Sequence, residues 1–243
     1  PYMAANLLLL APGSPFIYYG EEIGLKGSLA YVEKHKDHID GKIDILLYSQ
    51  SSILDCKKFV EDIKEQFPTF YALILNAGII GKKNEELYEE EITNTVGTNF
   101  ISPLVIVKEL KSFLDESEIE HRIIFQGSLV GRAHKYKKNE IFGVKYGKFK
   151  KYNISKCGVL NLFKYFASTN TNPNIFYMYS EPGITNSNII RNFSGFIQKV
   201  GYWFMSVFMH STTCGGLNAC YLACNYTANG DAYVPSRMFR TRG

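Results

Sequence analysis

Cysteine is scarce in this sequence, and none of it is arranged for cross-linking or metal binding. The five cysteines, Cys56, Cys157, Cys214, Cys220 and Cys224, are odd in number and show no CxxC spacing. A disulfide scaffold and a zinc site are therefore not expected, and a reducing compartment is. The histidines His35, His38, His121, His134 and His210 are scattered without a ligand pattern, so no metal is expected either. Long uninterrupted apolar runs are also missing. Residues 193–224 are rich in Phe, Trp, Tyr and Met, but Gln198, Lys199 and His210 break them up, which suits a substrate-covering helical region or a surface touching membrane better than a span. Asn6 to Pro12 is apolar but has no basic leader or cleavage site, so no secretory signal is expected. Internal repeats and low-complexity tracts are lacking too.

What remains is an ordinary globular composition. The 243 residues are 46% hydrophobic and 21% charged, enough for one sizeable core. The formal charge is +4, with a lysine cluster between Lys135 and Lys151. Such a cluster attracts an anionic cofactor, a membrane or nucleic acid, or is simply a solvated loop. Nucleic acid is not the expected partner.

Hydrophobic patterning predicts strands and helices in alternation. Pro15 to Gly20 is a short β-rich run, Leu29 to His38 a helix, Lys42 to Tyr48 a strand, and Ser52 to Phe67 a helix. Tyr71 to Leu75 is a continuous apolar run, as in a strand buried on both faces. Glu85 to Leu114 is expected to be mostly helical with an irregularity at Pro103. Arg122 to Phe125 is a strand, Tyr152 to Thr169 a helix and Asn174 to Tyr179 a strand. This order predicts βαβ units around a parallel sheet. Ligands then sit beyond the carboxyl ends of the strands. Asn76-Ala77-Gly78, Gly127-Ser128 and Pro182-Gly183 all fall at such ends.

Tyr152 and Lys156 stand four residues apart, hence on one helix face. A free phenol is a poor base at neutral pH, and a nearby cation favours its phenolate. Such a pair can exchange a proton with a substrate hydroxyl or carbonyl. Ser128 can bond the same oxygen. Taken alone, this pair is more often an exposed helix couple than a catalytic one.

The ordered set of Asn76-Ala77-Gly78, Asn99, Ser128, Tyr152 with Lys156, and Pro182-Gly183 with Thr185 resembles the short-chain dehydrogenase/reductase family over roughly residues 30–243. The resemblance implies an α/β fold with a doubly wound parallel sheet of Rossmann type, and NAD or NADP as cofactor. It implies proton transfer by Asn99, Ser128, Tyr152 and Lys156. Asn76, Ala77 and Gly78 would border the adenosine side of the cofactor, with Pro182, Gly183 and Thr185 at the nicotinamide amide and Tyr152 and Lys156 also in contact. Asn94 competes less well for the place of Asn99. The wide gap from Ser128 to Tyr152 and the stretch 230–237 look like the retinol-dehydrogenase-like branch, which acts on lipophilic alcohols and carbonyls. The resemblance further implies a small-molecule alcohol or carbonyl substrate and a homodimer built on the Tyr–Lys helix. The expected location is the cytoplasm or the cytoplasmic face of a membrane, with peripheral membrane contact.

The amino-terminal part departs from that pattern. The family's glycine-rich turn has one candidate, Tyr19 to Gly27, in which Tyr19 and Lys26 stand at the wrong places. Glu21 and Glu22 would set negative charge against a diphosphate. The interval to Asn76 is too short for the first strand, first helix and second strand, which are expected to be missing. Residues 1–27 instead look like a fragment of the α-amylase family of glycoside hydrolases, carried by Pro12-Gly13-Ser14-Pro15 and the run from Phe16 to Gly24. Neighbouring Glu21 and Glu22 do not make a glycosidase pair. The chain is thus read as a chimera, residues 1–28 being no domain of their own and 29–243 a truncated dehydrogenase domain. An oxidoreductase by descent is the leading expectation. A non-catalytic remnant or interaction protein of the same fold is the alternative, and a glycoside hydrolase fragment a distant third.

Overall fold

The computed structural model describes residues 16–17, 50, 52–81, 84–89, 91–135, 137, 139–183, 212–225 and 228–234. The expected helix at 29–38, the strand at 42–48, the turn at 19–27, residue Thr185 and all of 193–211 lie outside them.

The described strands β1 (Phe16–Ile17), β2 (Ala72–Leu75), β5 (His121–Gln126), β6 (Ile175–Ser180) and β7 (Ala232–Tyr233) form one sheet in the order β1-β2-β5-β6-β7. Every pairing in it is parallel. The central strands β2 and β5 are buried along their whole length, as strands covered on both faces must be.

Side chains alternate between two cores because successive residues of a strand point to opposite faces. On one face Leu73, Leu75, Ile123, Phe125, Tyr177 and Tyr179 pack against helices α1 (Ile53–Gln66), α2 (Ser102–Asp115) and α4 (Lys148–Thr169). On the other face Ala72, Ile74, Ile124 and Met178 meet Ala219, Leu222 and Ala223 of α5 (Thr212–Cys224). Each fully buried Leu, Ile or Phe contributes about 1.5–3 kcal/mol. The sheet is doubly wound, as the fold expectation required.

α1 starts at Ser52, whose hydroxyl accepts from the amide of Asp55 at 3.1 Å, a side-chain N-cap. α5 is held at its carboxyl end by Arg122 of β5. That buried guanidinium donates to the carbonyls of Leu222 at 2.9 Å and Ala223 at 3.3 Å, and also to Asn225. Its Nε donates to Glu120 at 2.6 Å.

The expected long helix from Glu85 does not form as such. Leu87–Glu89 (β3) and Ile92–Thr93 (β4) make a small antiparallel hairpin. One helical turn, Asn94–Val96, leads into a wide π-helical turn, Gly97–Ile101, and only then into α2. Tertiary contacts override local propensity here. Tyr88 is buried, its hydroxyl 3.0 Å from Ser102 Oγ, and its ring lies so close to Gly97 that any Cβ there would clash at 2.0 Å. Pro103, in the first turn of α2, has no N–H for the carbonyl of Asn99 four residues before, and its ring crowds that carbonyl. The irregularity therefore falls just before the proline.

Candidate functional site

Because the strands run parallel, the carboxyl ends of β2, β5 and β6 lie along one rim. Asn76, Ala77 and Gly78 leave β2 there, Gly127 and Ser128 leave β5, and Glu181, Pro182 and Gly183 leave β6. β5 and β6 are tied at their ends by the Gly127 amide, which donates to the Ser180 carbonyl at 2.7 Å. Gly183 takes a φ of 71°, where a side chain would be strained.

Ser128 is the N-cap residue of the short helix α3 (Leu129–Ala133), yet its side chain makes no capping bond. Its hydroxyl bonds the Tyr152 hydroxyl instead, and its amide donates to the Tyr179 hydroxyl at 3.2 Å. α3 sits tightly on α4: a Cβ on Gly131 would lie 2.6 Å from the backbone oxygen of Lys156. That contact fixes the distance between Ser128 and the Tyr–Lys helix.

Tyr152 and Lys156 both lie on α4, which begins at Lys148. Burial pushes the Tyr152 phenol above its ordinary value, and the bond from Ser128 pulls it down. Lys156 is itself buried, which lowers its pKa to about 8. Its ammonium donates to the Gln126 carbonyl at 3.0 Å and lies 3.0 Å from where a Cβ of Gly78 would be. It forms no ion pair among the described residues.

Asn99, buried in the π-helical turn, engages its whole side-chain amide. Its Oδ1 accepts from the Ile79 amide at 2.8 Å, and its Nδ2 donates to the Ile79 carbonyl at 2.9 Å and to Ser155 Oγ at 2.9 Å. Ser155 in turn donates to the Tyr152 carbonyl at 2.8 Å. Asn94 turns away, its Oδ1 accepting from Thr98 at 3.1 Å. Asn99, not Asn94, borders the site.

Sequence reasoning missed several residues that build the rim. Ser155 links Asn99 to the Tyr152 backbone. Gln126 supplies the carbonyl for Lys156, while its buried Oε1 has no partner among the described residues. Arg132 of α3 forks onto the buried Glu181 carboxylate at 2.9 and 3.0 Å. The Glu181 carbonyl accepts from Asn218 of α5 at 2.8 Å, so the segment before Pro182 is pinned from both sides. A further chain runs below Gly78. The Gly81 amide donates to Thr95 Oγ1 at 3.1 Å, the Thr95 amide donates to Glu85 at 2.9 Å, and Glu85 pairs with Lys151 at 3.2 Å. Only Ser155, inside the Tyr–Lys spacing, carried a local signal in the sequence.

A doubly wound sheet with a tyrosine, a serine and a lysine gathered at its carboxyl rim defines a class of dinucleotide-fold proteins. The profile of the short chain dehydrogenase family matches residues 26–195, and the chain belongs to that family. No curated protein is close enough in sequence to count as a match. Among solved structures, the chain is similar to an alcohol dehydrogenase from the archaeon Thermococcus sibiricus complexed with 5-hydroxy-NADP (14% identity, 88% of this chain and 82% of that one, TM-score 0.61). It is also similar to NADPH-bound carbonyl reductase from chicken fatty liver (17%, 76% and 75%, 0.54) and to carbonyl reductase Sniffer of D. melanogaster (20%, 75% and 75%, 0.51). At these identities the likeness speaks for the fold.

Proposed function

We propose that this protein is an NAD- or NADP-dependent oxidoreductase interconverting an alcohol and a carbonyl compound, with Tyr152 moving the proton. The observation that carries this is the Tyr152 hydroxyl bonded to Ser128 on the helix that also carries a buried Lys156. The phenol, held above its ordinary value, keeps its proton at neutral pH. That suits donation to a carbonyl oxygen in the reducing direction. Ser128 would share that oxygen with Tyr152, and Asn99 would hold the helix in place through Ser155.

The residues at the rim around Lys156 fit the ribose and nicotinamide portion of such a dinucleotide. An ammonium has three donors, and Lys156 gives one to Gln126. Its other donors, beside Gly78, suit a hydroxyl-bearing group such as a ribose. When bound, the cofactor supplies or accepts the hydride, and the protein supplies orientation. Asn76, Ala77 and Gly78 would border its adenosine side, and Pro182, Gly183 and Thr185 the nicotinamide end. The named ligands of the similar structures, NADPH and 5-hydroxy-NADP, support a nicotinamide cofactor.

The substrate class proposed is a lipophilic alcohol or carbonyl, on the retinol-dehydrogenase-like gap between Ser128 and Tyr152. A homodimer through α4 belongs to the same reading; Tyr165, 60% exposed on that helix, favours it. Residues 1–28 are taken as an appended segment of α-amylase-like origin before a shortened domain 29–243, joined to it through β1. Sequencing the gene across the junction at residues 20–35 tests that origin.

Titrating the purified chain with NADH and NADPH, read by fluorescence and thermal shift, tests the function. A response to at least one is expected, with turnover lost and binding kept in Tyr152→Phe. No response to either dinucleotide would sink the proposal.

A further inference from the structure

Ser128 opens α3 without the bonds that its place calls for. Its backbone is extended, with φ −163° and ψ 151°, as an N-cap residue requires, yet its hydroxyl caps nothing. In a capping box the third helical residue is a Glu or Gln that reaches back to the N-cap amide. Here that residue is Gly131, where a Cβ would run into the backbone of Lys156. The Ser128 amide is taken by another strand instead, donating to the Tyr179 hydroxyl of β6 at 3.2 Å.

That hydroxyl is held in place from several sides. Tyr179 lies in register with Phe125 of β5 and Ala232 of β7, and its amide donates to the Asp231 carbonyl at 3.0 Å. Its ring is buried, with its centroid 5.5 Å from that of Phe163 on α4. A Cβ on Gly127 would overlap the Tyr179 ring carbon Cζ and its hydroxyl oxygen, so the phenol fills the room that the glycine leaves. The Gly127 amide goes to the Ser180 carbonyl at 2.7 Å. Two consecutive amides at the end of β5 are thus held by two consecutive residues of β6.

We infer that Tyr179 is a positioning residue: from beneath the end of β5 its hydroxyl sets the backbone of Ser128, so that the serine hydroxyl meets Tyr152 rather than capping α3. As a part in catalysis this role rests on the oxidoreductase reading. Tyr179 acts through Ser128 and not on the reacting atoms. Burial pushes its phenol up to about 12, so the hydroxyl stays neutral and keeps the same bonding character around neutral pH. The titratable and charged groups that act on it are Glu181, Arg132 and Tyr152, and the first two pair with each other.

Tyr179→Phe keeps the ring against Phe163 and removes only the hydroxyl. Tyr177→Phe is the control, since its buried hydroxyl, in the same strand and core, has no partner among the described residues. Two readouts need neither dinucleotide nor substrate. In hydrogen exchange, the Ser128 amide of Tyr179→Phe should exchange roughly tenfold faster than in the parent. In magnetic resonance with tyrosines labelled at Cζ, the Tyr152 signal, assigned by its loss in Tyr152→Phe, should titrate at higher pH, because the Ser128 bond lowers that phenol. Ser128→Ala should move the signal the same way, and Tyr179→Phe should add little to it. Where turnover is found, kcat should fall about tenfold with the dinucleotide Kd kept. A purely structural hydroxyl would lower Tm and leave the Tyr152 titration in place. Circular dichroism melting shows whether Tyr179→Phe folds; if it does not, Gly127→Ala, which displaces the same hydroxyl, is read in its place. Unchanged exchange at Ser128, a Tyr152 signal that titrates as in the parent or moves equally in Tyr177→Phe, or shifts that add fully to those of Ser128→Ala each overturn the inference. A parent without turnover sinks the oxidoreductase reading alone, because exchange and titration still decide whether Tyr179 sets Ser128.

Discussion

Asn99 and Ser155, 56 positions apart in sequence, meet through a 2.9 Å bond from the asparagine amide to the serine hydroxyl. Through it the π-helical turn grips the backbone of Tyr152. Asn99→Ala removes all three bonds of this amide and leaves the Ile79 N–H and C=O buried without partners. A loss of about 2–4 kcal/mol in urea unfolding is expected, with Ser155→Ala costing less. A double-mutant cycle should give a coupling of about 0.5–1.5 kcal/mol. Additive effects would mean that the bond does not connect the two elements.

Ser128→Ala bears on the phenol directly. Burial raises the Tyr152 pKa and the Ser128 bond lowers it, so without the serine the rise is unopposed. If the proposed chemistry holds, the alcohol-oxidising pH profile of Ser128→Ala moves to higher pH, because that direction needs the phenolate. Carbonyl reduction should slow roughly 10- to 100-fold through loss of a donor at the substrate oxygen. An unmoved profile would remove Ser128 from control of the phenol.

Lys156 links the site to stability. Burial lowers its pKa from 10.5 to about 8. Below pH 8 folded and unfolded chains both carry the proton, and the folded one bears the full cost of a buried cation. Between about pH 8 and 10.5 the unfolded chain alone stays protonated, so stability rises with pH across that window. Lys156→Met should therefore raise Tm at pH 7, by a gain on the order of 3 kcal/mol. The advantage should shrink towards pH 10, and turnover should vanish. A variant that melts earlier than the parent at pH 7 contradicts this account.

The pair of Glu85 and Lys151, both nearly buried, ties the loop after Gly78 to the Tyr–Lys helix. Glu85→Gln keeps the shape but leaves a buried ammonium without its carboxylate. A cost of about 3–5 kcal/mol is expected, measured by chemical denaturation. The double variant Glu85→Gln with Lys151→Met should recover most of it.

Much of this arrangement was legible in the sequence because it is local. Apolar runs stopping at Asn76, at Gly127-Ser128 and at Pro182-Gly183 mark strand ends, and the four-residue spacing of Tyr152 and Lys156 needs only helix geometry. What stayed hidden depends on partners far along the chain. The hairpin of β3 and β4 forms where charge density suggests helix, because Tyr88 packs on Gly97. Arg132 and Glu181 find each other across two connections. The raising of the Tyr152 phenol by burial was likewise hidden, since burial is decided by packing and not by spacing.

The π-helical turn at Gly97–Ile101 holds one residue more per turn than the regular helix on either side, and the Ser102 amide reaches back five residues to Gly97. Removing a single residue there would restore an even α-helix and swing the preceding turn by about 100°. Asn99 would then leave Ile79 and Ser155 even though no site residue had been deleted. Single-codon deletions in this turn are thus as damaging as loss of a site residue, while substitutions on the exposed face of α2, a few residues later, are tolerated.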